Sequence, residues 1–156
     1  MADVTASIHR LVGRDRELEM LTGFLDEALS GGSSRLLTGE PGVGKTALID
    51  AAVALAGERG ARVIQGSGVE YESDVSFAGL HQLVDPLTDD LLRLPDQTRS
   101  TLDVALGVGS GPAPDRLAVL GAALALFREA ARESPLLIVV DDLQWPDRAT
   151  AGRPRR

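Results

Sequence analysis

Eight residues, Gly39-Glu40-Pro41-Gly42-Val43-Gly44-Lys45-Thr46, constrain this chain more than any other stretch. They follow the pattern G-x-x-x-x-G-K-[ST], in which a glycine-rich loop leaves an apolar segment and opens a helix. Each residue type has a physical job there. Glycine tolerates the backbone angles that curl a loop until successive N–H groups point inward and form a nest for an anion. The following helix adds its unpaired first-turn N–H groups and the positive end of its dipole. Lys45 supplies a compact charge for terminal phosphates, and the Thr46 hydroxyl suits Mg²⁺, a hard cation that prefers oxygen. An ordinary glycine-rich turn could use the same glycines, but chance gives the full pattern in roughly one of a thousand chains of this composition. Fifteen of the 16 basic residues are arginine, and the sole lysine fills the one position that requires it.

The flanking residues predict a strand–loop–helix unit. Arg35-Leu36-Leu37-Thr38 reads as a short strand, and residues 45–57 as a helix burying Leu48, Ile49, Ala52, Val53 and Ala56. Upstream, residues 14–30 carry Leu18, Leu21, Leu25, Ala28 and Leu29 at helical spacing and stop at Gly31-Gly32. Residues 61–65 read as a strand and 66–76 as a polar loop. From Phe77 the pattern turns helical, with Leu80, Leu83, Val84 and Leu87 divided by Pro86 from Leu91, Leu92 and Leu94. Another helix runs from Pro95 to about Leu106, and the glycine- and proline-rich residues 107–114 form a loop. Leu117, Leu120, Leu124, Phe127 and Ala131 line one face of a long helix that Pro135 ends. Leu136–Val140 then reads as a fully buried strand bounded by Asp141-Asp142. This alternation predicts an α/β fold, a parallel sheet covered by helices.

The acids after that last strand have the form of a second nucleotide-site element. Ligands of open α/β sheets bind at the carboxyl ends of strands. There Asp141 would hold Mg²⁺ through water, and Asp142 would orient or polarise an attacking water. Two acids after a strand more often make a solvated loop or a helix cap, so their weight comes from the glycine-rich loop beside them. Val12-Gly13-Arg14 borders an adenine pocket or merely enters a helix; the residues alone do not choose. His9 and His81 lack companions for a metal site, Asp89-Asp90 reads as a solvated turn, and Trp145 as a packing or interface residue.

Composition narrows the class. With 156 residues, 44% hydrophobic and 25% charged, the chain fits one domain with a real core. It has no cysteine, which excludes disulfides, thiolate metal sites and a cysteine nucleophile. Neither a membrane span nor a secretory leader is apparent, and a cytoplasmic location is expected. All 23 acids fall within residues 1–147, while 148–156 hold four arginines and no acid. The acidic body argues against direct DNA binding, which needs clustered cations. Residues 148–156 read as a basic, disordered tail to a domain spanning 1–147.

Taken together, five stretches resemble one family. They are Leu11-Val12-Gly13-Arg14 with Glu17-Leu18, the loop at 39–46, Phe77-Ala78-Gly79-Leu80-His81-Gln82-Leu83, Gly111-Pro112-Ala113-Pro114-Asp115-Arg116, and Val139-Val140-Asp141-Asp142-Leu143-Gln144-Trp145. The chain is similar over residues 8–147 to the N-terminal AAA-type, origin-recognition-like ATPase module of large ATP-binding LuxR-type transcriptional regulators. The two nucleotide motifs are general to P-loop ATPases; residues 77–83 and 111–116 carry the resemblance to this family. It implies that Gly39, Glu40, Pro41, Gly42, Val43, Gly44, Lys45 and Thr46 bind ATP phosphates and Mg²⁺. It also implies that Asp141 is the Mg²⁺-associated acid, that Asp142 takes the water-activating position, and that Gly13 and Arg14 sit near the adenine.

The same resemblance implies that a strand beyond residue 147 belongs between the phosphate-loop strand and the Asp141 strand, and residues 151–156 do not look like that continuation. The fold expected is therefore a P-loop NTPase parallel sheet with flanking helices, incomplete at its C-terminal side. Two readings follow: an ATP-binding, slowly hydrolysing module of a signal-transducing regulator without its DNA-binding domain, or an inactive shortened product or interaction module that retains the loop. Self-association and other protein partners stay open. A P-loop small-molecule kinase is set aside, because its lid would need arginines and residues 66–92 contain none.

Overall fold

A computed structural model describes residues 13–67 and 77–141. The chain divides into two compact units, Met1–Val63 and Ile64–Arg156.

In the first unit, helix α1 (Asp15–Gly31) starts with Asp15 and Glu17 in its first turn, where acids complement the positive end of the helix dipole. It buries Leu21 and Leu25. It ends at Gly32, whose backbone turns to φ 76° while its N–H donates to the Ala28 carbonyl at 2.9 Å. Helix α2 (Lys45–Glu58) packs on α1 and buries Leu48, Ala51 and Ala56. Arg59, just past α2, donates to Asp26 of α1 at 2.9 Å and to the Leu55 carbonyl at 3.0 Å. Ile49, Ala52 and Val53, expected inside, are only half-buried. The helix is apolar around most of its circumference, so packing and not periodicity selects the covered side.

The strand expected at residues 35–38 does not form. That segment leads into the loop without a ladder, with Leu36 66% exposed and the Arg35 guanidinium 5.7 Å from the centre of the Phe24 ring. Apolar residues become a strand only where a neighbour takes up their N–H and C=O groups. The two strands among the described residues pair with each other instead.

Those strands are β1 (Arg62–Ser67) and β2 (Leu136–Asp141), which form a small parallel sheet. Parallel strands need a long crossover, here helical. It comprises α3 (Ala78–Val84), a 3₁₀ turn (Asp85–Leu87) that carries Pro86, α4 (Thr88–Leu91), α5 (Asp96–Ala105) and α6 (Arg116–Ala130). Asp115 caps α6, its carboxylate accepting from the Ala118 N–H at 2.8 Å. Ile64, Leu83, Leu87, Leu102, Val119 and Leu126 lie at the centre of the second unit's core, and α5 packs on α6. The combination is the mixed α/β architecture expected of a P-loop NTPase, in partial form.

Three expectations need correction here. On α6 the buried residues are Val119, Ala122, Ala123, Leu126 and Ala130. Leu117, Leu120 and Leu124 are instead 80%, 46% and 48% exposed. The helix is apolar nearly all round, so periodicity could not choose a side, and the side with Ala122 and Ala123 allows closer packing. Strand β2 is not fully buried: Ile138 and Val140 are each more than a third exposed, as suits a strand covered on one face. Asp90 is no solvated turn residue. It is buried in α4 and lies 3.6 Å from Arg93, which also pairs with Glu133 at 2.8 Å.

Candidate phosphate-binding site

The loop at 39–46 is wound by its glycines. Gly42 and Gly44 have φ of 77° and 93°, and a Cβ at Gly39 would lie 2.8 Å from Val43 Cγ1, closer than side chains approach. The Val43 N–H donates back to the Glu40 carbonyl at 3.3 Å, which closes the turn. Gly44 is the N-cap of α2 and offers no side chain to the first helical turn. The N–H groups of Lys45, Thr46 and Ala47 therefore have no cap, and the Gly44 carbonyl already accepts from Leu48 at 3.2 Å.

Lys45 is half-buried at the start of α2, and its ammonium reaches back across the loop. It donates to the carbonyls of Gly39 at 3.0 Å and Glu40 at 3.2 Å. Glu40, Pro41, Gly42, Val43 and Thr46 are exposed. A curled backbone, uncapped helix donors, one ammonium and an adjacent hydroxyl suit a polyphosphate with a hard divalent cation in both charge and donor type.

Arg14 meets this loop directly, and Gly13, at φ 77°, precedes it in the chain. The Arg14 guanidinium pairs with Glu17 one helical turn on, Nη1 to Oε1 at 2.7 Å, and Nη2 donates to the Val43 carbonyl. The Arg14 hydrogen bond holds the Glu17 carboxyl below its usual range. The sequence supplied the Arg14–Glu17 spacing but not the target, because a backbone carbonyl has no sequence signature. Glu17 is the residue that sequence reasoning missed as part of this neighbourhood.

The loop, Gly13 and Arg14 belong to the unit Met1–Val63, whereas Asp141 belongs to the unit Ile64–Arg156. Asp141 is the last residue of β2 and is half-buried. Asp142, Trp145 and His9 lie outside the described residues. His81 is exposed, and no group of three metal-ligating side chains occurs among the described residues.

The two stretches singled out for the family resemblance have structural work to do. The Gln82 side-chain amide pairs with the backbone of Ser67, accepting from its N–H at 2.8 Å and donating to its carbonyl at 3.2 Å. Gln82 thereby extends the end of β1 with a side chain. In residues 111–116 the capping carboxylate of Asp115 plays the corresponding part for α6.

A family model described as AAA ATPase domain matches residues 10–152. That span includes Gly13, Arg14, the whole glycine-rich loop, Asp141 and Asp142. No curated protein and no solved structure matches the chain. Among the described residues, no helix is long and apolar enough to cross a membrane.

Proposed function

The chain belongs to the AAA ATPase domain family, and from that membership we propose that residues 39–46 bind the phosphates of ATP together with Mg²⁺. The observation that carries this reading is the curled loop with the Lys45 ammonium held across it. Lys45 exchanges its two carbonyl acceptors for phosphate oxygens, while Gly42, Gly44 and the first turn of α2 supply backbone N–H donors. Gly39, Glu40, Pro41 and Val43 shape the loop. By the family resemblance Thr46, and Asp141 through water, would be the residues that hold Mg²⁺, Asp142 would orient the attacking water, and Gly13 and Arg14 would sit near the adenine. When bound, Mg²⁺ would supply charge neutralisation at the phosphates.

Binding outlasts hydrolysis in this reading. Phosphoryl transfer gains from an arginine on the developing charge beside the lysine and Mg²⁺, and Arg14 is engaged by Glu17 and the Val43 carbonyl. A slow ATPase suits a switch better than a motor. The finer assignment, to a large ATP-binding LuxR-type transcriptional regulator, draws its support from residues 77–83 and 111–116. Within such a regulator, ATP is this module's partner and DNA is left to other parts.

Thermal unfolding of the purified chain with and without Mg²⁺–ATP, beside Lys45→Ala, tests the proposal. A ligand at 100 times its Kd stabilises the folded state by about 2.7 kcal/mol. The unmodified chain is expected to gain a higher midpoint and Lys45→Ala none. Equal shifts in both, or none in either, would remove the phosphate site. Phosphate release in the same samples reads hydrolysis.

A further inference from the structure

Two glycines with positive φ flank Val43. The peptide plane joining Val43 to Gly44 turns about the Val43 ψ and the Gly44 φ, and the latter is 93°, a region that glycine enters as readily as its mirror image, so the glycine side does not choose the orientation of that plane. Because a trans peptide is planar, the Val43 carbonyl and the Gly44 N–H point in opposite directions. Whatever fixes the carbonyl fixes the donor. The Arg14 guanidinium does so: Nη2 donates to that oxygen and lies 4.0 Å from where a Gly44 Cβ would stand. Glu17 holds the other end of the fork at 2.7 Å, and the planar guanidinium transmits that orientation to the loop.

We propose that Arg14 is a positioning residue that locks the Val43–Gly44 peptide, so that the Gly44 N–H is set toward the phosphate and Glu17 sets Arg14. This deepens the ATP-phosphate reading and rests on it. It also gives Arg14 a different job from lining an adenine pocket, and the two jobs differ in chemistry. A loop lock acts on every polyphosphate alike, whereas a wall of the base pocket acts only where a base is present.

The test uses the full chain with Arg14→Ala, Arg14→Lys and Glu17→Gln, titrated calorimetrically with Mg²⁺–ATP, Mg²⁺–GTP and inorganic tripolyphosphate. Arg14→Ala is expected to weaken all three by one common factor of about tenfold, the scale of one charge-assisted hydrogen bond. Arg14→Lys recovers part of that loss, since an ammonium can reach the carbonyl but cannot fork to Glu17 as well. Glu17→Gln gives a smaller common loss. The Gly44 amide resonance, recorded without ligand, is expected to move in Arg14→Ala. A loss confined to ATP, an unchanged affinity for tripolyphosphate, or an unmoved Gly44 amide would overturn the lock. If the unmodified chain binds none of the three ligands, the phosphate-site reading falls instead, and the Gly44 resonance still decides whether Arg14 fixes the peptide.

Discussion

Twelve buried residues, from Ile64 to Ala130, form one continuous apolar cluster in the second unit. In the first, burial among the described residues reaches five apolar side chains: Leu21, Leu25, Leu48, Ala51 and Ala56. What the first unit has besides is the loop at 39–46, held through its backbone: two glycines at positive φ, a third that a Cβ would crowd, an ammonium on two carbonyls and a guanidinium on a third. The region with the chemistry is shaped by torsion angles and hydrogen bonds, and the other by packing. Local stability follows buried apolar contact, so the phosphate loop belongs to the more easily opened part of the molecule.

The harshest test of that contrast is Leu126→Ala. Leu126 is fully buried in α6, and removing a buried leucine side chain costs about 2–5 kcal/mol. Denaturant unfolding should show the loss, and hydrogen exchange should place it in α5 and α6. If protection of α1 and α2 falls by the same amount, the two units open as one body and the contrast is wrong.

Gly39→Ala probes the other architecture with a smaller expected effect on stability. Its Cβ would meet Val43 Cγ1 at 2.8 Å, so Val43 must shift and the turn must loosen. A glycine replaced where the native arrangement rejects a side chain costs about 1 kcal/mol or more. The thermal midpoint is expected to drop slightly while tripolyphosphate affinity falls at least tenfold. An unchanged affinity would mean that the winding of the loop is not what makes it a phosphate site.

The same contrast explains which parts of the molecule the sequence made legible. Glycine and proline announce backbone geometry by their own chemistry, so the loop at 39–46, the end of α1 near Gly31-Gly32, the break at Pro86 and the start of α5 after Pro95 could all be read directly. Packing leaves a weaker trace. The row Leu117, Leu120, Leu124 has sound helical spacing, yet α6 turns its alanine-rich side inward, because an apolar stripe says nothing when the opposite face is apolar too. Residues 35–38 have strand composition, but a strand is a property of two segments. Asp90 carried the signature of a surface acid, and its burial goes with the Arg93 guanidinium one helical turn on, a pairing that the sequence did not announce. At the candidate site, Lys45 and Thr46 were readable from type and spacing. The partner of Arg14 was not, since that contact ends on a carbonyl 29 residues away.

Acidification offers the gentlest way to sharpen the comparison. The Arg14 hydrogen bond lowers the Glu17 carboxyl from its ordinary 4.5, with Arg14 and Arg16 charges adding to the effect. The sign follows from linkage: a carboxyl with a depressed folded-state pKa contributes stability above its unfolded value and loses it as pH falls through the folded one. The pair is partly open to solvent, about a third of each side chain being accessible, so the change in global stability is small and salt weakens it further. The local consequence is more informative. Protonating Glu17 frees one end of the Arg14 fork, so the Gly44 amide resonance is expected to shift with a midpoint below 4.5. Subtracting the same titration in Glu17→Gln separates this carboxyl from its neighbours Asp15, Glu19 and Glu40. The Leu102 amide, in the apolar core of the second unit, should not follow it. A Gly44 amide that ignores Glu17, or a Leu102 amide that tracks it, would mean that the loop is not tuned by its own ion pair and that the first unit's geometry is set elsewhere.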